Sequence, residues 1–401
     1  MANALLTTSK ITREALRLFI NSNAFLKNIN RQYDDQFAVP GAKIGDTLRI
    51  RLPNDYTVGT GRVITPQDTT EQQRTLTVSS QKNVAISFSS AEMALSLDDF
   101  SNRILLPAMN ALAGNVAADV MTMAESASAF VFKDAGSGVV ATPDASTWLL
   151  AGAKLDNNSA PRTSASRRVM MDPLTQARTV SALAGLFNSQ TKLKDQYEMG
   201  QMGHDTLGFD WYMDQTIIKH TPGSFTAGTV NGAGQTGSTL TTNAITGTLN
   251  KGDVITIAGV FAVNRVTKLT TGELQQFNVT ANVLNGATSI PIYPAIVVAP
   301  AAYGTVTASP ANAAVISLLA APNTVYRKNI AYVPEAFTLA TADLQLPRGV
   351  NEAARETYDG ISLRMISDYD VTNDLFITRI DILYGYVCLR PEWVCVVPDV
   401  L

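Results

Sequence analysis

The residues with the most distinctive chemical spacing lie in NGAGQTG, Asn231 to Gly237, where Gly232, Gly234 and Gly237 spell G-x-G-x-x-G. That pattern cradles a pyrophosphate in dinucleotide-binding folds. It needs a strand before it and a helix after it, because the helix N-terminus supplies the amide donors and the positive dipole end. Here TPGSFTAGTV precedes the loop and the Thr-rich STLTTNAITGTLNKGD follows, with no apolar 3.6-residue period and few helix formers. The acid expected about 20 residues on for the ribose has only Asp253 as a candidate, and Asp253 sits in NKGD, which reads as a turn before a strand. The glycines therefore read as a flexible loop, and no cofactor is expected.

Other candidate chemistry is equally thin. His204 and His220 are the two histidines, and neither stands near a serine or cysteine motif of nucleophile type. No H-E-x-x-H, EF-hand loop or Walker lysine occurs, so no metal site or nucleotide site is expected. The paired acids Asp34 with Asp35 and Asp98 with Asp99 read as charges at helix ends. Arg167 with Arg168 reads as a solvated edge, and Gly203 to Asp205 as a polar loop. Cys388 and Cys395 match neither a redox pair nor a zinc spacing and read as buried free thiols. No catalytic set assembles, so an enzyme is not expected.

Of 401 residues, 46% are hydrophobic and only 16% charged, against roughly 25% charged in ordinary soluble domains. Extensive subunit interfaces in place of solvated faces would give this balance, as would a large Ala-, Ser- and Thr-rich monomer. A net charge of −3 without any Lys/Arg run gives no general attraction to nucleic acid. MANALLTTSK lacks the features of a secretory signal, and IPIYPAIVVAPAAYG from Ile290 is broken by three prolines and too short to span a bilayer.

These residues must be positioned by a mixed set of elements. Ser9 to about Tyr33 carries Ile11, Ala15, Leu16, Leu18, Phe19 and Ile20 at helical spacing, an amphipathic helix that either packs on its own domain or docks on another chain. GDTLRIRL and RTLTVSSQKNVAISFS alternate as half-buried strands around a Gly- and Pro-containing span, which predicts a long projecting hairpin. Ser96 with Asp99 predicts the start of a helix running to Ala127, with Leu112, Val116, Val120 and Met123 on one face and a bend at Pro107. RRVMMDPLTQARTVSALAGLF reads as a strand ending at Met171 and a helix from about Leu174. From Pro222 to Ala321 Gly, Thr, Ala, Asn and Val dominate, with short strands DVITIAGVF, LQQFNVTA and TSIPIYPAIVV, the pattern of an inserted all-β barrel or sandwich. Mixed α/β pattern resumes at NTVYRKNIAYVPEAFTLA and closes with DLFITRIDILYGYVCL and EWVCVVPDV.

Four stretches, in this order, carry a resemblance: LAGNVAADVMTMAES at Leu112 to Ser126, GFDWYMDQT at Gly208 to Thr216, KGDVITIAGVFAVNRVTK at Lys251 to Lys268, and LYGYVCLRPEWVCVV at Leu383 to Val397. They resemble the tailed-phage major capsid (coat) proteins of the Hong Kong 97-like fold, and among these the P22-type coat proteins with an inserted β-barrel domain. The fold class implied is α+β, with an N-arm at 1–39, a peripheral domain at 40–52 and 76–129 containing a spine helix at 96–127, and an E-loop at 53–75. An axial domain at 130–221, an inserted β-barrel domain at 222–321 and a return through the axial and peripheral domains at 322–401 complete it.

The resemblance also implies roles. The protein would self-assemble as a homo-oligomer of hexamers and pentamers into an icosahedral shell, through a scaffold-assisted procapsid that matures by domain rearrangement. Partners would be a scaffolding protein, a portal protein and packaged DNA enclosed without sequence-specific binding, with no membrane. The location would be the virion capsid, assembled in the host cytoplasm. Candidate assembly residues are Arg13, Glu14, Arg17, Leu18 and Phe19 on the N-arm, Arg62, Glu71 and Arg74 on the E-loop, and Gly232, Gly234 and Gly237 in the insertion. In the resembling proteins a charged loop of the insertion meets a neighbouring capsomer. Here the corresponding stretch is shorter and uncharged, so no intercapsomer salt bridge is carried over, and glycine there would serve flexibility and close backbone approach. Replacing Leu18 and Phe19 by Asp is expected to leave a folded monomer that forms no shells. An encapsulin-like compartment shell and an enzyme with a β-domain lid are the competing readings.

Overall fold

The computed structural model describes residues 8–33, 47–56, 58, 62, 66, 71–89, 101–162, 167–183, 206–372 and 375–401. The Ser96–Asp99 cap, the acid pairs at 34–35 and 98–99, and His204 lie outside these. Two compact units form, the first from Met1–Arg51, Gln73–Met121 and Phe337–Leu389.

In the first unit, helix Thr8–Ser22 buries Ala15, Leu16, Phe19 and Ile20 and leaves Lys10, Arg13 and Arg17 exposed. Its apolar face packs on helix Leu106–Met121 and on strands Glu352–Tyr358 and Ile361–Asp370. The helix is therefore used within its own unit. Helix Leu106–Met121 contributes Met109, Leu112, Ala113, Val116, Ala117 and Val120 to the same core at i, i+3, i+4, i+7 spacing. The helical run through 103–126 is long and apolar enough to cross a membrane by length and composition, but this face is occupied by the unit's own side chains. Residues Ser101–Leu105 form a wide π-turn directly before the α-helix. Pro107 thus stands just after the π-turn inside this helical run, where its ring and missing N–H interrupt the regular ladder.

The sheet of this unit runs Asn30–Tyr33, Phe337–Ala342, Leu375–Cys388, Ile361–Asp370 and Glu352–Tyr358, and Ser80–Ser89 also pairs with Leu375–Cys388. The strand Thr47–Leu52 alternates half-buried Leu48 and Ile50 with exposed Arg49 and Arg51. Leu48 and Ile50 pack with Leu76, Val78, Ala340 and Leu383, which roots the predicted hairpin on the sheet.

The second unit comprises Leu52–Gln72, Thr122–Ala336 and Arg390–Leu401. Its first sheet runs Ala129–Phe130, Val394–Val400, Tyr326–Tyr332, Arg168–Met171 and Asp210–Met213, with Lys219–His220 paired to Tyr326–Tyr332. Helix Ala145–Asn157, started by an Asp144–Thr147 capping box, covers it through Trp148, Ala151 and Leu155. The Trp148 ring meets Trp211 edge-on at 5.0 Å.

Residues 225–318 hold a separate five-stranded antiparallel sheet in the order Gly237–Thr241, Ser289–Ile296, Thr270–Val279, Val254–Val263 and Ile316–Leu318. Its core, which includes Phe225, Leu240, Ile255, Ile257, Phe277, Ile290 and Ile296, is drawn wholly from within that stretch. The insertion therefore buries its apolar surface against itself.

Two expectations change. Arg167 is not a solvated edge: its buried guanidinium donates to Asp156 Oδ1 at 2.7 Å and to the carbonyls of Ala160, Pro161 and Gly152. Phe19 is 0% exposed, so an Asp there buries an unpaired charge, and loss of the fold replaces the expected folded monomer. Phe19→Ala should lower the stability of the unassembled subunit by about 3–5 kcal/mol, read by urea denaturation. A loss under about 1 kcal/mol would show that the position is not core.

Candidate assembly surfaces and the buried neck of the insertion

The glycine fingerprint sits in an exposed loop followed by strand Gly237–Thr241, where a phosphate site would need a helix. Gly232, Gly234 and Gly237 have φ of 91°, 75° and 94°. A Cβ at any of them would meet nothing within 4 Å. Glycine is needed for the left-handed backbone and not for close approach, which corrects the expectation. Nor is the loop a loose coil. The Gln235 side-chain amide reaches the carbonyls of Asn231 at 2.7 Å and Thr241 at 2.9 Å and accepts from Thr241 N at 2.7 Å, while Gly232 N donates to Asn312 Oδ1 at 2.9 Å. Gln235 was not among the candidates, since a side chain bonded to its own loop leaves no periodic signal.

The charged candidates are placed on the surface. Arg13 is exposed and lies 3.5 Å from Glu356, and Glu14 pairs with Arg17 one turn on. The Arg17 guanidinium beside Glu14 holds its carboxyl below the ordinary value. Exposed pairs of this kind are worth about 0–1 kcal/mol, so they leave the side chains free to exchange partners. Leu18 is half-buried, Arg62 and Glu71 are exposed, and Arg74 is half-buried.

The densest polar chemistry lies at the neck of the insertion, within the second unit. His220 stands just before the insertion, Asp253 in its first long turn and Lys328 just after it. His220 Nε2 lies 2.8 Å from Asp253 Oδ1, and Asp253 Oδ2 accepts from Gly223 N at 3.0 Å and Asn250 N at 2.7 Å. Lys328 Nζ donates to the Gly252 carbonyl at 2.9 Å. Asp253 and Lys328 are 1% exposed or less, with Lys251 paired to Glu125 at 3.1 Å on the rim.

Gly252 is demanded twice. Its φ is +92°, and a Cβ would stand 2.7 Å from Lys328 Nζ and 3.3 Å from His220 Cε1. Neighbouring amides extend the neck. Asn278 Nδ2 donates to the carbonyls of Glu125 and Ala127 at 2.7 Å, and Gln276 both donates to and accepts from the Phe130 backbone at 2.8 Å.

Burial pushes Lys328 down to about 8 against the opposing pull of Glu125 and Asp253. Burial also lowers His220; its bond to Asp253 opposes this, and the Lys328 charge adds to it. A neutral imidazole held on a carboxylate beside a buried amine is a structural clamp. Among the described residues no three His, Cys, Asp or Glu side chains gather as a metal site requires.

These features describe a structural subunit whose insertion is a self-cored module clamped to its body. A family model, P22 coat protein, gene protein 5, matches residues 65–397. The chain belongs to the P22 coat protein family, is a tailed-phage major capsid protein of the Hong Kong 97-like fold, and forms the shell of the virion. Among solved structures it is similar to a chain of Mycobacterium phage Che8, at 12% identity and TM-score 0.46, covering 94% of this chain and 90% of that one. It is similar also to the mature capsid of bacteriophage PhiM1, at 9% identity and TM-score 0.42, covering 94% and 86%. The CUS-3 coat protein I-domain matches at 28% identity and TM-score 0.19, covering 23% of this chain and 94% of that one. With TM-scores below 0.5 these likenesses add no argument to the family match. No curated protein matches the chain.

The neck makes stability depend on pH with a defined sign. The folded state holds His220 below its ordinary 6.5, so the unfolded chain takes up the proton first. The His220 contribution should be full above about pH 6.5 and be lost as pH drops below it, on top of a cost from the lowered Lys328 that is nearly complete once pH is below about 8. Urea midpoints between about pH 7.5 and 5.5 measure this. His220→Gln should remove most of the fall, and an unchanged fall in that variant would contradict the assignment.

Proposed function

We propose that this coat protein builds hexamers and pentamers of an icosahedral procapsid with a scaffolding protein, and that domain rearrangement then matures the shell around packaged DNA. The observation that carries this reading is the family match over residues 65–397. A shell closes when many weak, repeated heterologous contacts add around closed symmetry, and a chain only 16% charged suits broad interfaces.

Residues 1–39 act as the N-arm, with Arg13, Glu14 and Arg17 offered to scaffolding protein from the exposed side of a helix whose other side is core. Residues 53–75 act as the E-loop, with Arg62, Glu71 and Arg74 facing a neighbouring subunit. Residues 130–221 form the axial domain and 222–321 the inserted domain, whose ordered 231–237 loop meets a neighbour through backbone and amide groups in place of charges. DNA is enclosed without sequence reading, a portal protein occupies one vertex, and assembly takes place in the host cytoplasm. The chain has no enzymatic role.

Negative-stain microscopy of the protein produced with and without its scaffolding protein tests this. Uniform shells with scaffold and aberrant or spiral particles without it are expected. A small monodisperse species in both samples would overturn it.

A further inference from the structure

Three segments far apart in sequence meet at Arg265 inside the second unit. Arg265 lies in the turn between strands Val254–Val263 and Thr270–Val279. Its Nε donates to Asp55 Oδ2 at 2.5 Å and its Nη1 to Glu392 Oε1 at 2.8 Å. Asp55 and Asn54 follow directly on strand Thr47–Leu52, at the root of the hairpin. Tyr303 of the insertion donates its hydroxyl to Asn54 Oδ1 at 3.3 Å, a second contact between the same two segments.

The turn is built to hold Arg265 in place. Asn264 Oδ1 accepts from Val266 N at 2.9 Å and Thr267 N at 3.1 Å, and Lys268 Nζ bonds the Ala302 carbonyl. Glu392 has further partners: the Tyr293 hydroxyl donates to it at 3.1 Å, and Arg390, stacked over Trp393 at 4.2 Å, lies 3.7 Å away. Asp55 has its salt bridge from Arg265. The side chains of Arg265, Asp55 and Glu392 are 26%, 24% and 17% exposed, so the group is shielded from solvent and salt more than a surface pair.

We propose that Arg265 is a tether through which the inserted domain fixes the chain at Asn54 and Asp55, where it leaves strand Thr47–Leu52, and so sets the point from which the 53–75 segment starts. The insertion then does more than add a surface: it anchors a second element. The tether is a property of the single subunit, and only its effect on the shell rests on reading 53–75 as the loop that reaches a neighbour.

The test is a double-mutant cycle of Arg265→Met, Asp55→Asn and the double variant, read by amide hydrogen exchange of the unassembled subunit. Each single change should speed exchange in peptides covering 47–56 on the order of tenfold, the size of a shielded charged hydrogen bond, and leave 254–279 unchanged. The double should equal Arg265→Met alone, because Asp55→Asn removes nothing further from this contact once the guanidinium is gone, whereas Arg265→Met also loses the bond to Glu392. Unchanged exchange at 47–56, an additive double, or equal loosening of 254–279 would overturn the tether. If Arg265→Met fails to fold, Asp55→Asn alone gives the reading, since Asp55 is isosteric with Asn and outside both cores. In the same samples, wild-type shells with slower or mixed-size variant shells support the effect on assembly, and identical variant shells overturn it. Failure of the wild type to form shells would instead sink the proposed function, with the exchange data still reporting on the tether.

Discussion

A carboxylate, an imidazole and an ammonium share a volume from which water is excluded, and the second unit is organised around making that tolerable. Asp253 is satisfied on both oxygens by His220, Gly223 N and Asn250 N. Lys328 is given a carbonyl, that of Gly252. Buried charges are stable only when paired and hydrogen-bonded, so the chain segments leading into and out of the insertion and the turn at 250–253 have one acceptable mutual placement. Gly252 is the geometric condition for it, because any side chain would enter the space that Lys328 and His220 occupy.

Around this neck, apolar and polar roles are divided. The insertion satisfies its hydrophobic demand internally, which leaves its attachment to hydrogen bonds and charges: the neck cluster, the Asn278 and Gln276 amides on the backbone at 125–130, and Arg265 on Asp55 and Glu392. A polar attachment is directional, so it fixes orientation, whereas apolar burial by itself is not. For a subunit that must repeat one set of contacts around a closed shell, fixed orientation of each part matters more than the strength of any one contact.

Much of the local structure was legible from periodicity. Alternation gave the strands at 47–52 and 80–89, and 3.6-residue spacing gave the helices at 8–22 and 106–121, because one-sided burial writes a regular pattern. The hairpin at 352–370 went unread although Asp359–Gly360 is a strong turn dipeptide between alternating runs. The polar sites were not legible. His220 and Asp253 are 33 residues apart and Arg265 and Asp55 are 210 apart, and no periodicity links them. Asp253 stands in a turn before a strand as the sequence suggests, but its burial rests on His220 and the Gly223 amide, 33 and 30 positions back, with the charge of Lys328 nearby on a different strand. A signal was present in YRKNIAY, where Lys328 and Asn329 stand side by side in a strand buried at every position but Arg327. The burial of Arg167 has a nearer cause, since its acceptors come from the last turns of helix Ala145–Asn157 and the segment to Pro161 that follows, and carry no periodic signal.

The central claim is that the buried neck joins the insertion to the body, the described apolar core of the insertion being closed within 225–316. Hydrogen exchange of Asp253→Ala tests it most directly, comparing peptides from 270–296 in the insertion with those from 326–332 in the body. Removal of one member of a buried charged group costs about 3–5 kcal/mol. The account predicts that protection at 326–332 falls by roughly a hundredfold or more while 270–296 stays protected by its own core. Equal protection in both regions, or loss of both in parallel, would contradict it.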